Sequence, residues 1–282
     1  MTGASPITAA QALAWREIVR FFRQRNRIVG SIGTPLVFWL LFGAGLSGSF
    51  RIGAGATLTR SVSEGPSESF LTYFFPGSLL LIVLFTAIFS SISIIEDRRE
   101  GFLQGVLIAP IPRWSMILGK VLGGTLVALV QGLIFLALGL TLPIGVTPLG
   151  AVQLVVLLFV ASLGITSLGT FFAWKTDSTQ GFHAIMNLVL MPLWLLSGGF
   201  FPAPALAADA RWSQWLLGAA MRLNPLSYAV GGVRRLLMPT AEYPGAWVPG
   251  LLTSWAVTLV FAAAAFGLAV WISRERTSGD LQ

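Results

Sequence analysis

Long apolar runs alternate with short polar ones along this chain. A bilayer-spanning helix needs about 20 apolar residues, and stretches of that kind fall at about 28–46, 70–95, 116–141, 150–174, 182–201 and 248–272. From Val121 to Trp174 there is no Asp, Glu, Lys, Arg or His. That length fits two spans with a tight turn, and the prolines and glycines of LPIGVTPLG supply the turn. Pro35 predicts a kink in the first span. A polar, Gly/Ser-rich loop follows at 47–69, and a short charged turn, KTDSTQ, precedes the fifth span. The pattern predicts one all-α integral membrane domain over 1–282 with six transmembrane helices.

The first 27 residues hold Arg16, Arg20, Arg23, Arg25 and Arg27 and no continuous apolar core, unlike a cleavable secretory signal. Ser5-Pro6 reads as an N-cap followed by proline at the first helical position. Ile7, Ala14, Ile18, Phe21 and Phe22 recur at helical spacing, so 5–27 is expected to be a basic amphipathic helix on the membrane surface. Trp15 and the phenylalanines argue against a disordered tail. Six spans put both termini on one side. With that side inside, twelve of the eighteen Lys and Arg residues fall in inner segments. The positive-inside rule then predicts cytoplasmic N- and C-termini in a plasma membrane.

Composition narrows the function. Only 10% of residues are charged and 55% are hydrophobic, against about a quarter charged in soluble domains, so lipid is the main solvent. The net charge of +7 comes from arginines beside apolar runs, which suits anionic headgroups and not nucleic acid. Cysteine is absent and histidine occurs once, at His183, so no zinc site or thiolate chemistry is expected. Gln131 and Asn187 are expected to join helices by hydrogen bonds, and Gly119, Gly123 and Gly124 to mark close helix packing. No intramembrane carboxylate chain, no paired acid and base and no G-x-x-x-x-G-K-[ST] pattern occurs. The chain is therefore expected to have no catalytic residues, no metal, no cofactor and no energy source of its own.

Two polar interruptions stand out. In IIEDRREGFLQGVLIAPIPRWSMILGK, five charges run from Glu96 to Glu100, and Gly101, Gly105, Pro110 and Pro112 bracket a short helix at about 98–110. Phe102 and Val106 share a face, as do Leu103 and Leu107. Such a helix can sit in a groove of another protein or rest on lipid as a linker. The segment at about 203–238 is too apolar for a free loop and too broken for a span. It reads either as an outer re-entrant helical hairpin closing a pathway or as an interfacial aromatic cap.

EDRREGFLQGVLIAPIPRWSMILGKVLGGTLVALVQG resembles the inner stretch and third span of the ATP-binding-cassette type-2 permeases, and RLNPLSYAVGGVRRLL resembles their motif before the last span. The resemblance covers essentially the whole chain. It implies a dimer, of two identical chains or with a paralogous permease, served by two copies of a separate ATPase that binds ATP and Mg. The stretch with Glu96, Asp97, Arg98, Arg99, Glu100, Gly101, Phe102, Leu103, Val106, Leu107 and Pro110 would be the coupling helix docking in the ATPase. Asn224, Pro225 and Tyr228 would form the outer gate motif. Replacing Phe102 and Leu103 by Asp is expected to release the ATPase while leaving the permease folded. In bacteria such chains sit in the inner membrane and mostly export a drug, lipid, glycan or natural product. A non-transporting scaffold or sensor coupled to an ATPase is the alternative, and a self-sufficient carrier is disfavoured by the lack of buried charge.

Overall fold

A computed structural model describes residues 5–46, 70–204, 211–239 and 246–275. The loop at 47–69 with Arg51 and Arg60, parts of the outer segment (205–210 and 240–245) and Arg276 lie outside the described residues. The described residues form ten helices: α1 (Pro6–Arg23), α2 (Arg25–Leu46), α3 (Phe70–Arg99), α4 (Phe102–Ile108), α5 (Arg113–Gly139), α6 (Pro148–Lys175), α7 (Thr179–Leu195), α8 (Trp212–Leu223), α9 (Pro225–Leu237) and α10 (Leu251–Ile272).

Five of these, α2, α3, α5, α6 and α10, are long and apolar enough to cross a membrane. The expected span at 182–201 corresponds to α7, which has 17 residues and sits at the short end of the spanning range. Its shortening has a local cause. Past Leu195 the chain leaves the helix and lays Gly199 against Gly77 of α3, so closely that a Cβ on Gly77 would lie 2.6 Å from the Gly199 backbone. Trp194 Nε1 donates to the Gly77 carbonyl (2.8 Å) and fixes the contact.

At the centre stands α3, buried over nearly its whole length and packed by α2, α5, α6, α7 and α9. Its sequence is apolar on every side, as a fully surrounded helix requires. Around it, α10 lies along α6 and α9.

The first helix covers most of the expected 5–27, and one of its faces packs against the rest of the chain. Ser5 caps it, accepting from the Thr8 N–H, and Pro6 opens it. One face of α1 (Ala10, Leu13, Ala14, Glu17 and Phe21) is buried, and the helix runs along α5. Ile7 and Phe22 turn outward instead. The receptor is the Gly119-x-x-x-Gly123 pair of α5. A Cβ on Gly119 would lie 2.7 Å from the Ala10 carbonyl oxygen, and one on Gly123 2.6 Å from Glu17 Cβ. Only glycine lets the two backbones approach this closely.

Candidate functional site at the charged end of the bundle

The last turn of α3 carries four consecutive charges. Successive residues on a helix point about 100° apart, so the run fans out. Asp97 is fully buried and takes a bidentate pair from Arg16 of α1 (2.7 and 3.1 Å). It also pairs with Arg20 of α1 and Lys120 of α5. Lys120 reaches Glu17 of α1 at 3.0 Å, with both side chains buried. Glu96 pairs with Arg20 at 2.8 Å and with Arg27 of α2. Burial pulls the Arg16 pKa down, but the hydrogen bond and charge of Asp97 outweigh it and hold it above its ordinary value. The network ties α1, α2, α3 and α5 together, and each buried charge in it has an opposite partner, as low dielectric demands.

The next two charges face elsewhere. Arg98 is buried and donates to the carbonyls of Trp174 (2.8 Å) and Thr176 (3.2 Å), which closes the C-terminal end of α6, where a cation is favoured. Arg99 donates to the Asp177 carbonyl at 3.1 Å. Glu100 is exposed and approaches Arg20 at 3.4 Å.

Gly101 then turns the chain with φ +77°, a left-handed conformation that favours glycine. The helix α4 that follows is clamped back onto α1, with the Arg16 guanidinium 3.6 Å above the Phe102 ring. Leu103 is buried within the core, while Val106 and Leu107 are half-buried and Pro110 is exposed. This corrects the expectation for Phe102 and Leu103. Leu103 already packs inside this chain, so an Asp there would break the fold before it tested any docking. The outward apolar residue is Ile108, 87% exposed, which the sequence pattern did not single out. Beside it an apolar cleft of about 350 Å³ opens between α1 and α4, lined by Leu13, Phe102, Val106 and Ile111.

At the other end of α3, Asn224 joins α8 to α9. Its Oδ1 accepts from the Leu226 N–H (3.0 Å), and its Nδ2 donates to the Leu193 carbonyl. Pro225 opens α9, and Tyr228 Oη donates to the Arg222 carbonyl at 2.9 Å. The three residues make a structural joint between α8, α9 and the end of α7. Buried Arg234, not anticipated, donates to the carbonyls of Tyr73 (3.2 Å) and Gly198 (3.0 Å). In the bundle interior, Gln131 accepts from Ser31 (2.8 Å) and Thr86 (2.6 Å), joining α5 to α2 and α3 as expected. Asn187 lies exposed on α7, so the expectation of a helix-joining role is not met there. His183 stacks edge-on near Phe89, centroids 6.0 Å apart.

Sequence reasoning placed Arg16, Arg20 and Arg27 at lipid headgroups; the structure turns them inward onto carboxylates. Two signals were available. Glu17 is the only acid before Glu64, on the buried side of a basic helix, and Lys120 is the last charge before the long uncharged stretch.

The ABC-2 type transporter family model matches residues 8–238, from the first turn of α1 to the end of α9. The chain belongs to the ABC-2 type transporter family. The permease is also similar to the inner membrane transport permease YadH of Escherichia coli, at 26% identity over 96% of each chain. A relative from Cyanophora paradoxa named for a transport permease role, ycf38, is 26% identical over 79% of this chain and 72% of its own. ABC transporter G family member 20 of Dictyostelium discoideum is 27% identical over 73% of this chain and 28% of its own length. The permease is thus a multi-pass membrane protein with a role in transport.

Proposed function

We propose that this permease is the membrane subunit of an ATP-driven exporter, moving an apolar or amphiphilic substrate outward, and that α4 is its contact with a separate ATPase. ATP and Mg belong to that partner, present in two copies on a permease dimer in the inner membrane. In this reading α7 completes a six-span arrangement and both termini are cytoplasmic, on the side that collects most of the Lys and Arg.

The observation that carries the reading is the placement of α4. It is a short helix held at both ends by a glycine turn and prolines, clamped to α1, with Ile108 and an apolar cleft left uncovered. Movement of α4 would pass through Arg16 and Asp97 into α3 and α5. The outer joint at Asn224, Pro225 and Tyr228 would be the gate element that this movement reaches.

Ile108→Asp tests the contact. Burying one such side chain is worth about 1.5–3 kcal/mol, so the variant should bind the ATPase about 10- to 100-fold more weakly while unfolding at the wild-type temperature. Unchanged ATPase affinity would remove α4 from the interface. Vesicles holding both chains should then show ATP-dependent substrate movement. ATP hydrolysis coupled to no movement across a broad substrate panel would favour a scaffold instead.

A further inference from the structure

We propose that the junction of α1 and α2 is a binding site for the phosphate of an anionic phospholipid. Charge balance points there first. Arg16, Arg20, Arg27 and Lys120 face Glu17, Glu96, Asp97 and Glu100, four cations against four carboxylates. Arg23 and Arg25 stand just beyond this balanced set, exposed, with no ion-pair partner among the described residues. Both are surplus cations in one turn of chain.

Position comes second. A single residue, Gln24, separates α1 from α2, which is long and apolar enough to span and begins at Arg25. The two guanidiniums therefore sit where the chain enters the bilayer. A cleft of about 500 Å³ opens beside Arg23, lined also by Trp15, Arg16, Val19, Arg20 and Gln24, and Arg25 stands outside it at the start of α2. Glu100 at its rim is already paired with Arg20.

Apolar surface comes third. Trp15 is 67% exposed and Phe22 43% exposed on the same helix as Arg23. Aromatic rings and arginines side by side are the signature of a membrane–water boundary. A phospholipid complements both features at once: phosphate oxygens accept from the guanidinium forks, and acyl carbons cover the rings. A free phosphate would leave the rings in water. The site rests on α2 crossing the membrane and is independent of any ATPase contact, so it can fail while that contact stands, and the reverse.

The test is lipid retention by the full-length permease, purified in detergent from a mixture of phosphatidylglycerol and phosphatidylethanolamine and read by native mass spectrometry. Wild type should keep phosphatidylglycerol preferentially. Arg23→Gln with Arg25→Gln should lower the ratio of the two lipids about 25-fold, from about fivefold per surface guanidinium. Arg23→Lys with Arg25→Lys should keep most of the preference. Trp15→Gln should lower total retained lipid, and it serves as the second probe if the double variant does not elute as a single folded species. A ratio unchanged in the Gln variant, or no preference in wild type, overturns the proposal. Loss of the preference in excess inorganic phosphate assigns the site to a free anion and also overturns it. So does a Gln variant that keeps the lipid ratio but loses a co-purifying ATPase, because the surface then belongs to a protein partner.

Discussion

The two ends of α3 solve the same problem differently. Each holds a buried cation, Lys120 in the carboxylate network at one and Arg234 at the other, roughly 36 Å apart along the helix. At the Asp97 end, cations from α1, α2 and α5 meet carboxylates from α1 and α3. At the Tyr73 end, Arg234 donates to two backbone carbonyls and lies 4.0 Å from the Tyr73 ring centre. A carboxylate network joins separate helices through their side chains and loses its balance when one member is removed. The carbonyl clamp ties α9 to the backbone of α3 and of the segment after α7 without any carboxylate. The first arrangement joins α1, α2, α3 and α5 at one end, and the second holds irregular chain in place at the other.

The comparison can be broken in order of effect. Asp97→Asn removes the fully buried carboxylate that Arg16, Arg20 and Lys120 share and leaves Glu17 and Glu96 to balance them, which should cost about 4 kcal/mol, read as thermal unfolding in detergent. Arg234→Met removes two charge-assisted hydrogen bonds and should cost about 3 kcal/mol. Combining the two should be additive within about 0.5 kcal/mol, because the sites are far apart. Asp97→Asn combined with Lys120→Met should instead show a coupling above about 1 kcal/mol. Additivity in that second pair would mean that the network does not act as a unit. Gly123→Ala pushes a methyl into Glu17 and Ala14 of α1 and should cost about 2 kcal/mol, with α1 becoming the first segment cut in limited proteolysis. Glu100→Gln removes only an exposed pair and should change stability by less than about 1 kcal/mol.

Helix positions were legible because apolar runs, the Ser5-Pro6 cap, the uncharged stretch and the prolines are local signals. The Gly119 and Gly123 spacing also announced close packing correctly, though not that α1 is the partner. What escaped was direction. Helical periodicity showed that Leu103 and Leu107 share a face, but not that Leu103 turns into the core while Ile108 points away. Charge counting placed Arg16 and Arg20 at lipid, because their carboxylate partner Asp97 lies some eighty positions away in sequence. Arg234 was hidden for the same reason: backbone carbonyls from Tyr73 and Gly198 leave no mark in a composition.

The fan of charges that closes α3 has an implication for how tolerant this region is to change. Its wiring depends on rotational phase as much as on which residues are present. Adding a single residue between Ile95 and Glu96 would swing the four side chains by about 100°. Asp97 would then leave Lys120, and Arg98 would leave the carboxyl end of α6. A chain of unchanged net charge and almost unchanged hydropathy would lose both attachments together.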